Sequence, residues 1–328
     1  MTDSAHPTRT ALVLGGGGST GNAWLIGVIA GLFQAGVDVT TADLTVGTSA
    51  GATAAAQVTG APPPQLYAAV LDAVVPARPP GVGGGRPSAP PVASHLEKTG
   101  AIIAASADPA DMRRRMGAAA LEVDAASDGS WTAQWRSTVA PRLPRSSWPE
   151  QRLAITAVDA RTGEGVVFDR DSGVDLVDAV AASTSGGPHP YRIGERRYID
   201  GGYRTNAENT DLAAGFERVL VLSPFGGRTR WPLEWGMHLA PQVDQLRAHG
   251  TRVEVVSPAD NDEHMFGVNG MDLSLRDPAA RAGFEQGIDL GNRSARSGGP
   301  ADEEAVGSRG NRPPPGRVLL RPQLNLRR

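Results

Sequence analysis

Leu44-Thr45-Val46-Gly47-Thr48-Ser49-Ala50-Gly51-Ala52-Thr53-Ala54-Ala55-Ala56 sets a short apolar run against a small-residue turn and an alanine-rich segment. The run reads as a buried strand and the alanine segment as a helix that stops near Gly60. Between them, Gly47-Thr48-Ser49-Ala50-Gly51 matches G-x-S-x-G. A serine at a sharp strand-to-helix turn must hold a strained backbone, and the flanking glycines Gly47 and Gly51 remove side chains that would clash there. The turn presents the Ser49 hydroxyl at a helix N-terminus, where the dipole favours the negative charge that develops in acyl transfer. Five residues of this kind also arise by chance in ordinary small-residue turns. The strand before and the helix after give the motif the setting it requires.

Upstream, Ala11-Leu12-Val13-Leu14 is another apolar strand, running into Gly15-Gly16-Gly17-Gly18-Ser19-Thr20-Gly21. Trp24, Leu25, Val28, Ile29, Leu32 and Phe33 then recur at helical spacing, and Gly36 stands where a helix-ending glycine belongs. Two strands joined by a helix imply parallel pairing and a right-handed crossover. A glycine-rich strand-to-helix loop exposes a concave array of backbone N–H groups, which suits a phosphate or the oxyanion of a tetrahedral intermediate. Gly16, Gly18 and Gly21 also match the dinucleotide fingerprint G-x-G-x-x-G. That reading expects an acid at the end of the second strand. Asp38 and Asp43 both precede the strand, which ends in the G-x-S-x-G turn. The oxyanion reading is therefore preferred.

Downstream, Leu153 to Val158 alternates as a strand and returns as a hairpin at Val166-Val167-Phe168. Asp175 to Ala182 suits a helix. Tyr191-Arg192-Ile193 and Arg196 to Ile199 form another hairpin ending at Asp200-Gly201-Gly202. Val219 to Leu222 and Val253 to Val256 are further buried strands, and helices fit 238–249 and 277–287. Residues 92–147 read as helical but poorly patterned. Strands alternating with helices predict a three-layer α/β/α sandwich around a central, mainly parallel sheet. The expected organisation is a polar extension over 1–10 and one domain over 11–290, with a flexible Pro/Gly-rich insertion near 76–91. A disordered Arg/Pro/Gly-rich tail over 291–328 completes it.

Composition narrows the function classes. A chain of 328 residues with 40% hydrophobic and 20% charged residues suits a globular core. The net charge of −3 does not suggest a nucleic-acid binder. It divides unevenly, with +5 on residues 293–328 and −8 on the rest. With no cysteine there are no disulfides, thiolate metal sites or cysteine nucleophiles. No signal peptide and no spanning segment is read, so a cytoplasmic location is expected. Peripheral membrane contact is a secondary reading, through the basic tail or through Trp131, Trp135 and Trp148. The four-residue spacing of Trp131 and Trp135 favours core packing instead.

Asp200-Gly201-Gly202 is the third signal. A carboxylate at a strand end beside two glycines can approach another loop closely, although Asp in a tight turn is common for local reasons. A histidine triad would draw on His6, His95, His189, His238, His249 or His264, and Ser49, Asp200 and His264 would satisfy one known chain order. Each histidine is read as a surface or helix residue, with His189 the one to watch. No metal-ligand spacing is visible.

Taken in order, Gly15 to Gly18, Gly47 to Gly51 and Asp200-Gly201-Gly202, with the central hairpin Leu153 to Phe168, resemble the patatin-like phospholipase family over residues 11 to about 290. The resemblance implies a Ser–Asp dyad without histidine. Ser49 would be the nucleophile and Asp200 the base, with Gly16, Gly17, Gly18 and Ala50 as oxyanion donors. It implies a lipid or other acyl ester as substrate, and neither metal nor cofactor. Two places depart from the family pattern. Thr20 stands where a basic residue is usual, and Ser183 to Pro190 is compressed. Two rival readings are a nucleotide binder using the Gly16–Gly21 loop and a catalytically silent lipid-binding scaffold. Oligomeric state is left open.

Overall fold

In the computed structural model, residues 8–74 and 91–297 are described. The chain runs β1 (Thr10–Leu14), α1 (Gly18–Gln34), β2 (Leu44–Gly47), α2 (Ala50–Val58), α3 (Pro63–Leu71), α4 (Pro91–Ala105), α5 (Pro109–Ala125) and α6 (Trp131–Val139). It continues as β3 (Arg152–Asp159), β4 (Gly165–Phe168), α7 (Leu176–Ser183), β5 (Tyr191–Ile193), β6 (Arg196–Asp200), β7 (Arg218–Leu222), α8 (Leu239–Ala248), β8 (Arg252–Val256) and α9 (Arg276–Ser297). The strands join one sheet in the order β5-β6-β3-β2-β1-β7-β8, with β4 also paired to β3. β3, β2, β1, β7 and β8 form a parallel ladder, and β4, β6 and β5 add antiparallel pairings at one side.

Period-two alternation in β1 shows how the layers arise. Leu12 and Leu14 point to one face and Ala11 and Val13 to the other, and all four are buried. The Leu12 face packs against α1, α2, α3, α7 and α9 through Trp24, Leu25, Ile29, Ala55, Val180 and Ala280. The Ala11 face packs against α8 and the turn before β7, through Leu239, Val243, Leu246 and Phe216. The result is the three-layer α/β/α sandwich with a mainly parallel sheet. α4 and α5 cover the far end of β3 and β6, with Met112, Met116 and Ala120 on Val158 and Ile199. Among the described residues, no helix is long and apolar enough to cross a membrane.

Helices α1 and α9 approach each other backbone to backbone. A Cβ on Gly27 would lie 2.1 Å from the Ala280 carbonyl oxygen, and one on Gly287 would lie 2.2 Å from that of Val28. Only glycine permits such a separation, so any side chain at either place forces the helices apart. Trp24 is fully buried in this seam, and its indole N–H donates to Gln286. That satisfies the one polar atom of a side chain whose burial contributes on the order of 2–3 kcal/mol.

One boundary differs from expectation. α9 runs to Ser297, past the expected end of the domain at 290. The first seven residues of the expected tail are helical; 298–328 lie outside the described residues, as does nearly all of the expected insertion. The poorly patterned stretch 92–147 resolves into α4, α5 and α6. In α5 the buried stripe is only Met112, Met116, Gly117 and Ala120, too sparse and small to stand out as an apolar face.

Candidate active site

β1 and β2 end side by side in the sheet, with Leu14 in register with Gly47, so their two loops emerge together. Each loop opens a helix, α1 and α2 respectively. α2 can start there because Gly51 has no side chain: a Cβ would fall 1.9 Å from the Leu14 carbonyl oxygen. The close approach leaves Ser49 at φ 54, ψ −118, a left-handed backbone that a non-glycine residue adopts only at a cost of about 1–3 kcal/mol. Its own N–H donates to Ser183 Oγ at 2.9 Å, which fixes the turn from the side of α7.

Asp200 ends β6 and reaches this turn from the antiparallel side of the sheet. Ser49 Oγ donates to Asp200 Oδ2 at 2.8 Å. Asp200 Oδ1 accepts the Gly202 N–H at 2.8 Å, so both carboxylate oxygens are engaged. The Asp200 residue is only 8% exposed. Burial pushes its carboxyl up from 3.8 to about 6, against the Gly202 N–H and the Ser49 hydroxyl, which pull it down. Near neutral pH the group is an ionised carboxylate facing one hydroxyl. The pair can therefore move a proton from serine to carboxylate as the serine oxygen attacks a carbonyl.

The glycine loop brackets the serine on the other side. Gly18 has φ +67, and a Cβ there would lie 2.6 Å from the Gly270 carbonyl oxygen. The Gly16 N–H, expected to be an oxyanion donor, instead donates to Ala207 O at 2.8 Å. That bond fixes the loop and takes Gly16 out of the set of free donors. The N–H groups of Gly17, Gly18 and Ala50 have no acceptor among the described residues, and Gly18 and Ala50 line the same cavity as Ser49. Thr20 is wholly buried, with its N–H donating to Gly270 O at 3.0 Å.

No family model matches this chain, and no curated protein does. Solved structures to which it is similar include VipD from Legionella pneumophila, at 13% identity and a TM-score of 0.41, over 88% of this chain and 68% of that one. A second is the type III effector protein ExoU, at 16% identity and a TM-score of 0.41, over 88% of this chain and 53% of that one. The chain thus spans about two thirds of the first and about half of the second. The chemistry rests on the site itself.

The cavity beside Ser49 has a volume of about 640 Å³. That is within the range of small-molecule sites. Leu66, Ala69 and Val70 of α3, with Leu143, Met271 and Leu273, supply an apolar lining. Trp135 also lines it, with its indole N–H on Ala181 O and Thr184 Oγ1, and its ring stacks on Trp131 at 5.8 Å between centroids. Both tryptophans pack against the core, as their spacing predicts.

The expected Ser49, Asp200, Gly47, Gly51, Gly201 and Gly202 all meet at this place. Gly201 packs its backbone against Thr156, where a Cβ would meet the hydroxyl at 2.2 Å. Among the described residues no histidine hydrogen-bonds to Ser49 or Asp200. His264 is exposed with Nδ1 against Asn261 O, and His189 stacks on Trp131 at 5.5 Å. Asp43, the acid weighed for a dinucleotide ribose, accepts from Thr10 at the opposite end of β1 from the glycine loop.

Sequence reading passes over two buried supports. Asn209 holds a left-handed backbone, φ 57, and its side-chain amide donates to Thr48 Oγ1 at 3.0 Å and to Gly201 O at 3.1 Å. It thereby ties the serine turn to the Asp200 loop. Glu208 is fully buried behind the glycine loop and accepts from Ser223 Oγ at 2.6 Å. Burial pushes its carboxyl up to about 7. The only local signal is the turn-forming run Asn206-Ala207-Glu208-Asn209, in which Asn206 caps two following N–H groups.

Proposed function

We propose that this protein is a serine acyl hydrolase of the patatin-like kind, cleaving lipid-type acyl esters with Ser49 as nucleophile and Asp200 as the single base. The observation that carries the reading is the 2.8 Å bond from Ser49 Oγ to a buried Asp200, at a turn with φ 54 and beside three unengaged backbone N–H groups. Asp200 takes the serine proton as Oγ bonds to the acyl carbon, then returns it to the leaving alcohol. The N–H groups of Gly17, Gly18 and Ala50 receive the oxyanion; loss of one such donor costs ~10²–10³ in rate. Water, activated by the same carboxylate, releases the acid and restores Ser49. The apolar wall of Leu66, Val70 and Leu143 suits an acyl chain. The free glycine N–H groups are compatible with a phosphate, but no acid sits where a ribose would be read.

Intact-mass spectrometry after treatment with an alkyl fluorophosphonate tests the reading. One adduct mapping to Ser49, absent in Ser49→Ala and slowed in Asp200→Asn, is the expected result. No adduct on well-folded protein would overturn it in favour of a silent scaffold.

A further inference from the structure

The Gly15–Gly18 loop has no side chain of its own to hold it, yet the Gly17 and Gly18 N–H groups serve an oxyanion only if they stay aimed. Upstream of them the backbone is pinned by the Gly15 N–H on Leu222 O at 3.0 Å and the Gly16 N–H on Ala207 O at 2.8 Å. Downstream it is pinned by the Thr20 N–H on Gly270 O at 3.0 Å and by the side chain of Arg276, at the start of α9. Arg276 Nη1 donates to Ser19 O and to Ser19 Oγ, both at 2.9 Å, and Nη2 reaches Asn22 Oδ1 at 3.5 Å. Asn22 extends the tie. Its Nδ2 donates to Gln57 Oε1 at 2.9 Å, which joins the start of α1 to α2, the helix that Ser49 opens.

Arg197, Arg204 and Arg136 each meet a carboxylate, that of Asp124, Asp211 and Asp178 respectively. Arg276 joins no ion pair among the described residues, and no Asp or Glu lines the cavity that it shares with Ser49. It is half-buried, and desolvation holds its guanidinium below the ordinary range. A partly desolvated cation without a counter-ion is unfavourable by itself. Its strong bonds go instead to one residue, Ser19, immediately after Gly18. A planar guanidinium that grips the carbonyl and the hydroxyl of the same residue fixes that residue's orientation as well as its place.

We propose that Arg276 is a positioning residue for the oxyanion loop: by gripping Ser19 it keeps the Gly17 and Gly18 N–H groups aimed at the acyl oxygen, without itself touching the substrate. The inference rests on the hydrolase reading and adds a residue to it. Gly270 holds Thr20 through its backbone carbonyl, so Arg276 is the part of the downstream clamp that a side-chain substitution can remove. Misplacing such groups by about 1 Å costs on the order of 10²-fold in rate. The loss falls on the transition state, where the oxygen carries charge, and not on binding of the uncharged ester.

The test compares Arg276→Met with wild type, as full chains, on para-nitrophenyl octanoate and on two inhibitors, octyl trifluoromethyl ketone and the secondary alcohol made by reducing it. Ser49 Oγ adds to the ketone carbon, its proton passes to Asp200, and the ketone oxygen becomes the oxyanion; the alcohol only occupies the cavity. Arg276→Met is expected to lower kcat about 10- to 100-fold with KM changed by less than about threefold. It should weaken the ketone by the same factor as kcat while the alcohol binds as before. Arg276→Lys, which keeps a donor but not the planar fork, should fall between the two. Ser19→Ala should lower kcat in the wild type and add little to the loss in Arg276→Met. Arg281→Gln, which breaks an exposed pair with Asp277 on the same helix, should leave kcat and KM unchanged. The role is overturned if Arg276→Met keeps its kcat, or if ketone and alcohol weaken alike. Should that variant not fold, Arg276→Lys and Ser19→Ala both turning over at the wild-type rate would overturn it. A wild type that gives neither a fluorophosphonate adduct nor ketone binding overturns the hydrolase reading and the role of Arg276 together, whereas an adduct-forming wild type indifferent to Arg276 overturns the role alone.

Discussion

Replacing Asp200 by Asn should make the protein more stable and nearly inactive at once. The folded carboxyl titrates at about 6 and an unburied aspartate at 3.8. Between these values the folded chain holds a proton that the unfolded chain has released. Stability is therefore full below pH 3.8, falls as pH rises, and levels off above 6. That difference corresponds to ~3 kcal/mol. Asn is nearly isosteric and uncharged: its Oδ1 can keep the Gly202 N–H and its amide can face Ser49 Oγ. Urea unfolding at pH 8 should thus show the variant more stable by about 1–3 kcal/mol, with the gain vanishing at pH 3.5. In the same samples, fluorophosphonate labelling of wild type should fall about tenfold per pH unit below 6 and be flat above 7. The variant should label ~10²–10⁴-fold more slowly at neutral pH. Two outcomes refute the reasoning: an Asn variant that labels at the wild-type rate, or one that is less stable than wild type at pH 8. An inflection set by a histidine would appear instead as a labelling change on His189→Ala or His264→Ala.

Glu208 supplies an independent pH effect. Its carboxyl shifts from 4.5 to about 7, so Glu208→Gln should abolish a loss of stability that wild type suffers as pH rises through that window, worth ~3 kcal/mol, measurable by urea unfolding at pH 4 and pH 8. Asn209→Ala removes the amide between Thr48 and Gly201 and leaves buried acceptors unmatched; it should cost about 2–4 kcal/mol and slow labelling of Ser49 more than a distant mutation of equal cost. Gly51→Ala puts a methyl group 1.9 Å from the Leu14 carbonyl and should prevent soluble expression or lower the melting temperature by more than ~10 °C.

What the sequence made legible is what short-range pattern can carry. The strand–loop–helix units around Gly15–Gly18 and Gly47–Gly51 are continuous in the chain, so glycine spacing and apolar runs reveal both. Asp200 is legible because its strand and two glycines travel with it. The fate of the Gly16 N–H is not, because its acceptor, Ala207, comes from a turn far along the chain that only the assembled sheet brings near. Asn209 and Glu208 act through side chains buried at a junction of three segments, and a single Asn or Glu in a polar run has no periodicity.

The glycine seam between α1 and α9 also bears on synthesis. α1 follows the Gly15–Gly18 loop and comes early among the described elements, while α9, which packs on it and whose Arg276 holds Ser19, is translated last among them. β1 likewise waits for β7 to become a central strand. A chain emerging from the ribosome N-terminus first can hold Ser49 and its helix long before the parts that seat the glycine loop exist. The proposed site is thus unfinished until translation has passed α9, and a nascent or truncated chain lacking that helix exposes the Trp24 face.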